Sequence, residues 1–184
     1  MSQNVQEWSA VILGEVNPAD IDYQFATIDS LETAPRIYVR FASAESEWTG
    51  QFQGVTRLPE AAHGVFSHPD TTRALVVASG QGYLLKPAAP HDWAPVDELP
   101  LVGVAEIPSI GAVVVADLIH LVAYGRQGRL WETRRVSYDG IRITDADATA
   151  IHGLAWSAPE DREVPFVVNP ATGAVTGGAA PQRD

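Results

Sequence analysis

Short apolar runs broken by Gly and Pro recur from one end of the chain to the other, and most alternate apolar with polar positions. That period of two places side chains on opposite faces of a β-strand. Candidate strands include "AVILGEV", "RIYVRFA", "WTGQFQGV", "GVFSH", "RALVVAS", "GYLLK", "LVGVAEI", "AVVVAD", "IHLVAYG", "RLWETRRVS", "GIRIT", "IHGLAWS", "VPFVVN" and "GAVTG". Helix signals are sparse; the clearest is "NPADIDYQF", with Asn17 as N-cap and Pro18 at the first helical position. The pattern predicts an all-β fold, a mainly antiparallel sheet of many short strands forming a sandwich, a barrel-like closure or a partial propeller-like assembly. Residues 1–184 read as a single β-rich domain, with 179–184 as a flexible tail.

Three segments share a Gly-apolar opening and a closing Pro: "GVFSHP" (64–69), "GVAEIP" (103–108) and "GLAWSAP" (153–159). Trp48, Trp93 and Trp131 precede the three openings, at spacings near the length of a propeller blade.

The most patterned stretch is "GRLWETRRVSYDGIRIT", residues 128–144. Asp139-Gly140 is a strong two-residue hairpin signal, because a type I′ turn needs positive φ at both central positions. The expected hairpin pairs 129–137 with 141–144. In that register Leu130, Val136, Tyr138, Ile141 and Ile143 face the core. The other face carries Trp131, Thr133, Arg135, Ser137, Arg142 and Thr144. One flat aromatic, two guanidinium forks and several hydroxyls suit a carboxylate, a phosphate or the centre of a protein interface. These six residues are the candidate ligand- or partner-binding site. The alternative for the same positions is the solvated side of an antiparallel sheet.

The C-terminal third resembles a pattern of uncharacterised bacterial β-rich proteins. Its pieces are AYGxxGxxW (from Ala123), the Asp139-Gly140 turn and TGxxxGG (from Thr172). The resemblance implies a β-rich fold and brings no activity, cofactor or site residue with it.

Composition narrows the function classes. Hydrophobic residues make up 46% of the chain and charged residues 19%, an ordinary globular balance. The net charge is −11, with 12 basic against 23 acidic residues, and Lys86 is the only lysine. Such a chain repels phosphate backbones and lacks a polybasic signal for anionic membranes, so neither nucleic acid nor membrane is expected as a partner. It would steer a basic protein toward itself. There are no cysteines, which excludes disulfides and thiolate chemistry. The opening residues have no basic n-region of a signal peptide, and a cytoplasmic location is expected.

Motifs that suggest catalysis lack their context. Asp145-x-Asp147-x-Thr149 follows an apolar strand, as in haloacid-dehalogenase-type phosphatases, but no βαβ rhythm surrounds it. As a calcium loop it would place Ala150 where Gly is needed and Trp156 where Glu is needed. A polar loop between strands is the expectation there. His63, His68, His91, His120 and His152 form no ligand pair at metal spacing. No cofactor and no metal are expected. The chain reads as a non-enzymatic binding or interaction protein with a protein partner or a second copy of itself. One instance would neutralise a basic partner, as immunity proteins do. The alternative is an enzyme or small-ligand-binding β protein using the Trp131/Arg135/Arg142 face.

Overall fold

The structure, a computed structural model, describes residues 7–27, 33–44 and 46–179. It is all-β: sixteen strands and two short 3-10 turns, with no α-helix among the described residues. The first 3-10 turn is Pro18–Asp20, and the Asn17 side chain accepts the Ala19 amide at 3.0 Å as its cap. The chain divides into two compact units, Met1–Pro100 and Leu101–Asp184.

The first unit holds two four-stranded sheets. One consists of β1 (Trp8–Leu13), β2 (Tyr23–Phe25), β3 (Arg36–Ser43) and β4 (Glu47–Gln53) in the order β1-β3-β4-β2, with β2 parallel to β4. The other is an antiparallel meander of β5 (Gly64–Ser67), β6 (Ala74–Ala78), β7 (Gln81–Lys86) and β8 (Ala89–Pro95). Both sheets contribute to one aromatic-rich core. Phe25 stacks on Phe52 at 4.4 Å and Phe41 on Trp48 at 4.7 Å. Gly50 permits this packing, since a Cβ there would lie 2.8 Å from both the Phe52 and Trp48 rings. Emptying the fully buried Phe52 site would cost about 3–5 kcal/mol.

The second unit repeats the plan with aliphatic residues. β9 (Gly103–Ile107), β10 (Ala112–Ala116), β11 (Leu121–Gly125) and β12 (Gly128–Glu132) form one antiparallel meander. β13 (Ile141–Ala146), β14 (Ile151–Ser157), β15 (Arg162–Val168) and β16 (Val175–Gly177) form the other. Val114, Ala116 and Leu121 of the first meet Ile151, Phe166 and Val168 of the second in a shared core. Each unit is thus a pair of four-stranded sheets packed over one core, and each sheet has the strand count of a propeller blade.

Three sequence expectations are corrected. The hairpin at Asp139-Gly140 does not form: β12 pairs with β11, and β13 pairs with β14. Residues 133–140 instead connect two sheets. Their backbone is satisfied from elsewhere, with the Val136 amide donating to Ile119 O at 2.8 Å and the Gly140 amide to Leu118 O at 2.8 Å. Local turn propensity loses because each strand finds a partner in its own meander. A tight turn with both central residues at positive φ sits at Ser79-Gly80 (φ 37° and 84°), between β6 and β7.

The second correction concerns Leu130, expected in the core and 56% exposed. A bulge in the β11–β12 ladder pairs Ala123 with Trp131 and Tyr124 with Arg129. Leu130 is the extra residue, and the alternation shifts there. The third concerns the repeat. Gly64 and Gly103 open the first strands of their sheets, whereas Gly153 lies inside the second strand of its own. The sheets actually begin at Gly64, Gly103 and Ile141, 39 and 38 residues apart. The expected tail lies outside the described residues except for Ala179, whose amide donates to Val136 O at 2.8 Å.

Candidate interaction face

The six residues expected to share a face take up different roles. Trp131 is half-buried on β12; its Nε1 donates to Pro170 O at 2.8 Å. Its ring covers Gly173, where a Cβ would lie 2.9 Å from the indole. Thr133 is buried, and its hydroxyl accepts the Leu121 amide at 2.9 Å. Ser137 is fully buried and donates to Gly140 O at 2.6 Å. Arg135 is exposed but folds back on the chain: Nε donates to Ser137 O (2.8 Å), one terminal nitrogen to Tyr138 O (2.9 Å), and the guanidinium lies 5.3 Å from the Tyr138 ring centroid. Their common surface required the Asp139-Gly140 hairpin, and without that register it is not built.

Arg142 and Thr144 remain exposed on β13. Thr144 is the extra residue of a bulge between Ile143 and Asp145. Arg142 stands opposite Leu154, Leu154 opposite Pro165, and Trp156 opposite Glu163. Beyond the bulge Asp145 stands opposite His152, which pairs with Val167 on β15. Strand alternation puts Arg142, His152, Leu154, Trp156, Pro165 and Val167 on one face. The opposite face of the same strands carries the buried Ile151, Ala155, Val164, Phe166 and Val168. Leu154, Trp156 and Val167 are half-buried and Pro165 is exposed. Arg142 reaches diagonally across β14 to Glu163, with a guanidinium nitrogen 2.8 Å from the carboxylate.

The sheet β13–β16 thus carries its core on one face and, on the other, half-buried Leu154, Trp156 and Val167 with exposed Pro165 among charged and polar neighbours. The sequence signal was "IHGLAWS", with apolar residues at both parities. A half-buried antiparallel strand has them at one.

Alongside this face, β9 and β13 border an open cleft of about 310 Å³ that reaches Glu106, Arg142 and Asp145. Gly103 brings the two edges close, since a Cβ there would meet Ile143 at 3.3 Å. In the first unit, a cleft of about 480 Å³ takes in Arg57, His63 and Ser79; Arg57 donates to Thr33 O. The Asp145–Thr149 stretch ends in a capped turn. Asp147 accepts the Thr149 amide (2.6 Å), the Thr149 hydroxyl (2.7 Å) and the Ala150 amide (3.0 Å). The Thr149 hydroxyl, followed by these amides, holds the Asp147 carboxyl below the usual carboxylate range. Among the described residues, no three His, Asp or Glu side chains gather as a metal site. No described helix is long and apolar enough to cross a membrane.

The arginines are largely occupied within the protein. Arg40 pairs with Glu47, Arg73 with Asp70 and Asp92, Arg129 with Glu132, Arg142 with Glu163, and Arg162 with Glu160. Lys86 pairs with Asp92. Arg134 and Arg135 donate to backbone carbonyls.

No protein-family model matches the chain, and no curated protein does. Among solved structures, the chain is similar to the crystal structure of the N-terminal domain of Nup159, at 11% sequence identity and a TM-score of 0.45. The match covers 96% of this chain and 51% of the other, so the chain spans about half the length of that domain.

Proposed function

We propose that this chain is an interaction protein, that its partner docks on the outer face of the β13–β16 sheet, and that the partner is a basic protein. The observation that carries the reading is a cluster of apolar side chains on the sheet face turned away from the core. Trp156, Leu154, Pro165 and Val167 supply a contiguous apolar centre, and the Arg142–Glu163 pair and His152 rim it. That is the make-up of an interface hot spot, an aromatic anchor within a polar surround. The net charge of −11, with most arginines tied to their own carboxylates and carbonyls, favours a basic partner.

The test is a phage-display selection of random dodecapeptides against the intact chain, with affinities then measured on the Trp156→Ala and Leu154→Ser variants. Selected peptides are expected to carry net positive charge, to bind less well as salt rises, and to lose at least about tenfold in affinity to Trp156→Ala. Neutral or acidic consensus peptides would overturn the basic partner. Peptides bound equally by both variants would overturn the face.

A further inference from the structure

The first unit carries a second inference, independent of the face above. It concerns the cleft of about 480 Å³ where the β4–β5 connection packs on the turn between β6 and β7. The connection is tied down through its backbone. The Gly54 amide donates to Pro35 O at 2.7 Å, the Val55 and Thr56 amides converge on Ser79 O at 3.2 and 3.3 Å, and the Gly80 amide donates to Ala62 O at 3.0 Å. Gly54 lets the two segments close, since a Cβ there would lie 2.6 Å from the Ser79 Cβ. Thr56 Oγ1 accepts the Leu58 amide at 3.1 Å, and the Ala61 amide donates to Leu58 O at 3.1 Å. These bonds hold the lining in place without a ligand, so binding would not have to order it.

The charge of this lining runs against that of the chain. Acidic residues outnumber basic ones by 23 to 12, and the cleft between β9 and β13 has Glu106 and Asp145 in its wall. The first-unit cleft is lined by Arg57 and His63 and by no carboxylate among the described residues. Glu60, between Pro59 and Ala61, and Arg36, next to Pro35, lie outside the lining. Arg57 differs from Arg40, Arg73, Arg142 and Arg162 in having no carboxylate partner among the described residues. One of its terminal nitrogens donates to Thr33 O, which anchors the fork. Its other N–H groups, and both ring nitrogens of His63, make no hydrogen bond among the described residues. The hydroxyls of Thr56 and Ser79 add donors, and Pro35, Leu58 and Pro59 supply an apolar wall.

We infer that this cleft binds a small organic monocarboxylate with a branched apolar body. The free N–H groups of Arg57 would hold the carboxylate by charge-assisted hydrogen bonds, with His63 and the two hydroxyls as further donors. The hydrocarbon part would lie against Leu58, Pro59 and Pro35. A cleft with an apolar wall and a few convergent donors is the usual form of a small-ligand site, and this volume falls in the usual range. One guanidinium answers one negative charge, so a monocarboxylate fits better than a phosphate dianion in a chain of net charge −11.

The probe is isovalerate, titrated into the intact chain and followed by the backbone amide resonances of Arg57, Leu58, His63 and Ser79. Its control is isovaleramide, which keeps the shape and removes the charge. Isovalerate is expected to move these resonances to saturation. Isovaleramide with the parent, and isovalerate with Arg57→Gln, are each expected to bind at least about tenfold more weakly, as the loss of a charge-assisted hydrogen bond implies. Gln can still donate to Thr33 O, so Arg57→Gln should melt within a few degrees of the parent. Leu58→Glu, at an exposed position, should weaken binding as much by placing a carboxylate in the wall. Resonances that do not move, or equal binding by isovaleramide or by either variant, would overturn the site. Inorganic phosphate that binds more tightly than isovalerate, and is lost in Arg57→Gln, would assign the cleft to phosphate and overturn the carboxylate. Trp156→Ala should leave this binding unchanged, so the two sites fail or stand separately.

Discussion

The indole of Trp131 donates to the carbonyl of Pro170 at 2.8 Å, and Trp48 makes the same bond to Pro87, also at 2.8 Å. Both bonds span 39 residues. In each unit a tryptophan of the first sheet holds the turn that leads into the last strand of the second. A buried or half-buried indole N–H needs an acceptor, and a proline carbonyl in a turn is free of ladder duty. This pair of bonds, with sheets beginning 39 and 38 residues apart, is the chain's repeat in physical form.

Trp131→Phe should therefore destabilise the second unit by about 1–3 kcal/mol, from the lost hydrogen bond and the unsatisfied Pro170 carbonyl. Gly173→Ala should cost at least as much, because its φ of 72° disfavours a side chain and the new Cβ would meet the indole at 2.9 Å. Urea melts of both variants check this. An unchanged midpoint for Trp131→Phe would mean that the bond contributes nothing.

His68 should make stability depend on pH. Its Nδ1 accepts the Asp70 amide at 3.0 Å, which leaves the neutral ring's proton on Nε2, buried with no hydrogen-bond partner among the described residues. Burial pushes its pKa down, Asp70 opposes that, and Arg73 reinforces it. With the folded pKa below the unfolded value of about 6.5, the unfolded chain binds the extra proton. The contribution is whole above that value and is lost as pH falls from it through the folded pKa. The parent's melting temperature should drop more steeply between about pH 7 and pH 5 than that of His68→Gln. Parallel curves would show that His68 is not responsible.

Tyr83 gives the opposite sign at alkaline pH. The phenol is fully buried and donates to Gln53 O at 2.6 Å. Burial pushes its pKa up to about 12. Its contribution is therefore whole below the unfolded value of about 10 and is lost as pH rises through the folded one. In a spectrophotometric titration Tyr83 should ionise well above the ordinary phenol range of about 10, in a late step identified by its loss in Tyr83→Phe. A Tyr83→Phe curve that lacks a mid-range step instead would contradict the assignment.

How much of this was legible in the sequence differs by element. The strand rhythm, the Asn17 cap and the scarcity of helix follow from periodicity and local chemistry, and the structure has all three. The Asp139-Gly140 hairpin was a local inference defeated by non-local pairing: "GRLWE" closes back on β11 through the Arg126-Gln127 turn, and "IRITDA" pairs forward with β14. The bulge at Leu130 then inverted the faces that simple alternation assigned on β12, whereas Ile141 and Ile143 kept the core side on β13. Bulges leave little trace in a pattern of apolar and polar letters. The double parity of "IHGLAWS" was visible, but which of its two faces meets the core needed the packing of Ile151 and Ala155 to be seen.

The most direct test of the central claim uses the chain's five tryptophans, Trp8, Trp48, Trp93, Trp131 and Trp156, labelled with 5-fluorotryptophan and followed by ¹⁹F NMR while the display-selected basic peptide is added. The account predicts that the Trp156 resonance, assigned by its loss in Trp156→Phe, shifts most as the peptide saturates, while Trp131 stays in place beneath its bond to Pro170. A bound peptide that leaves Trp156 unmoved would contradict it.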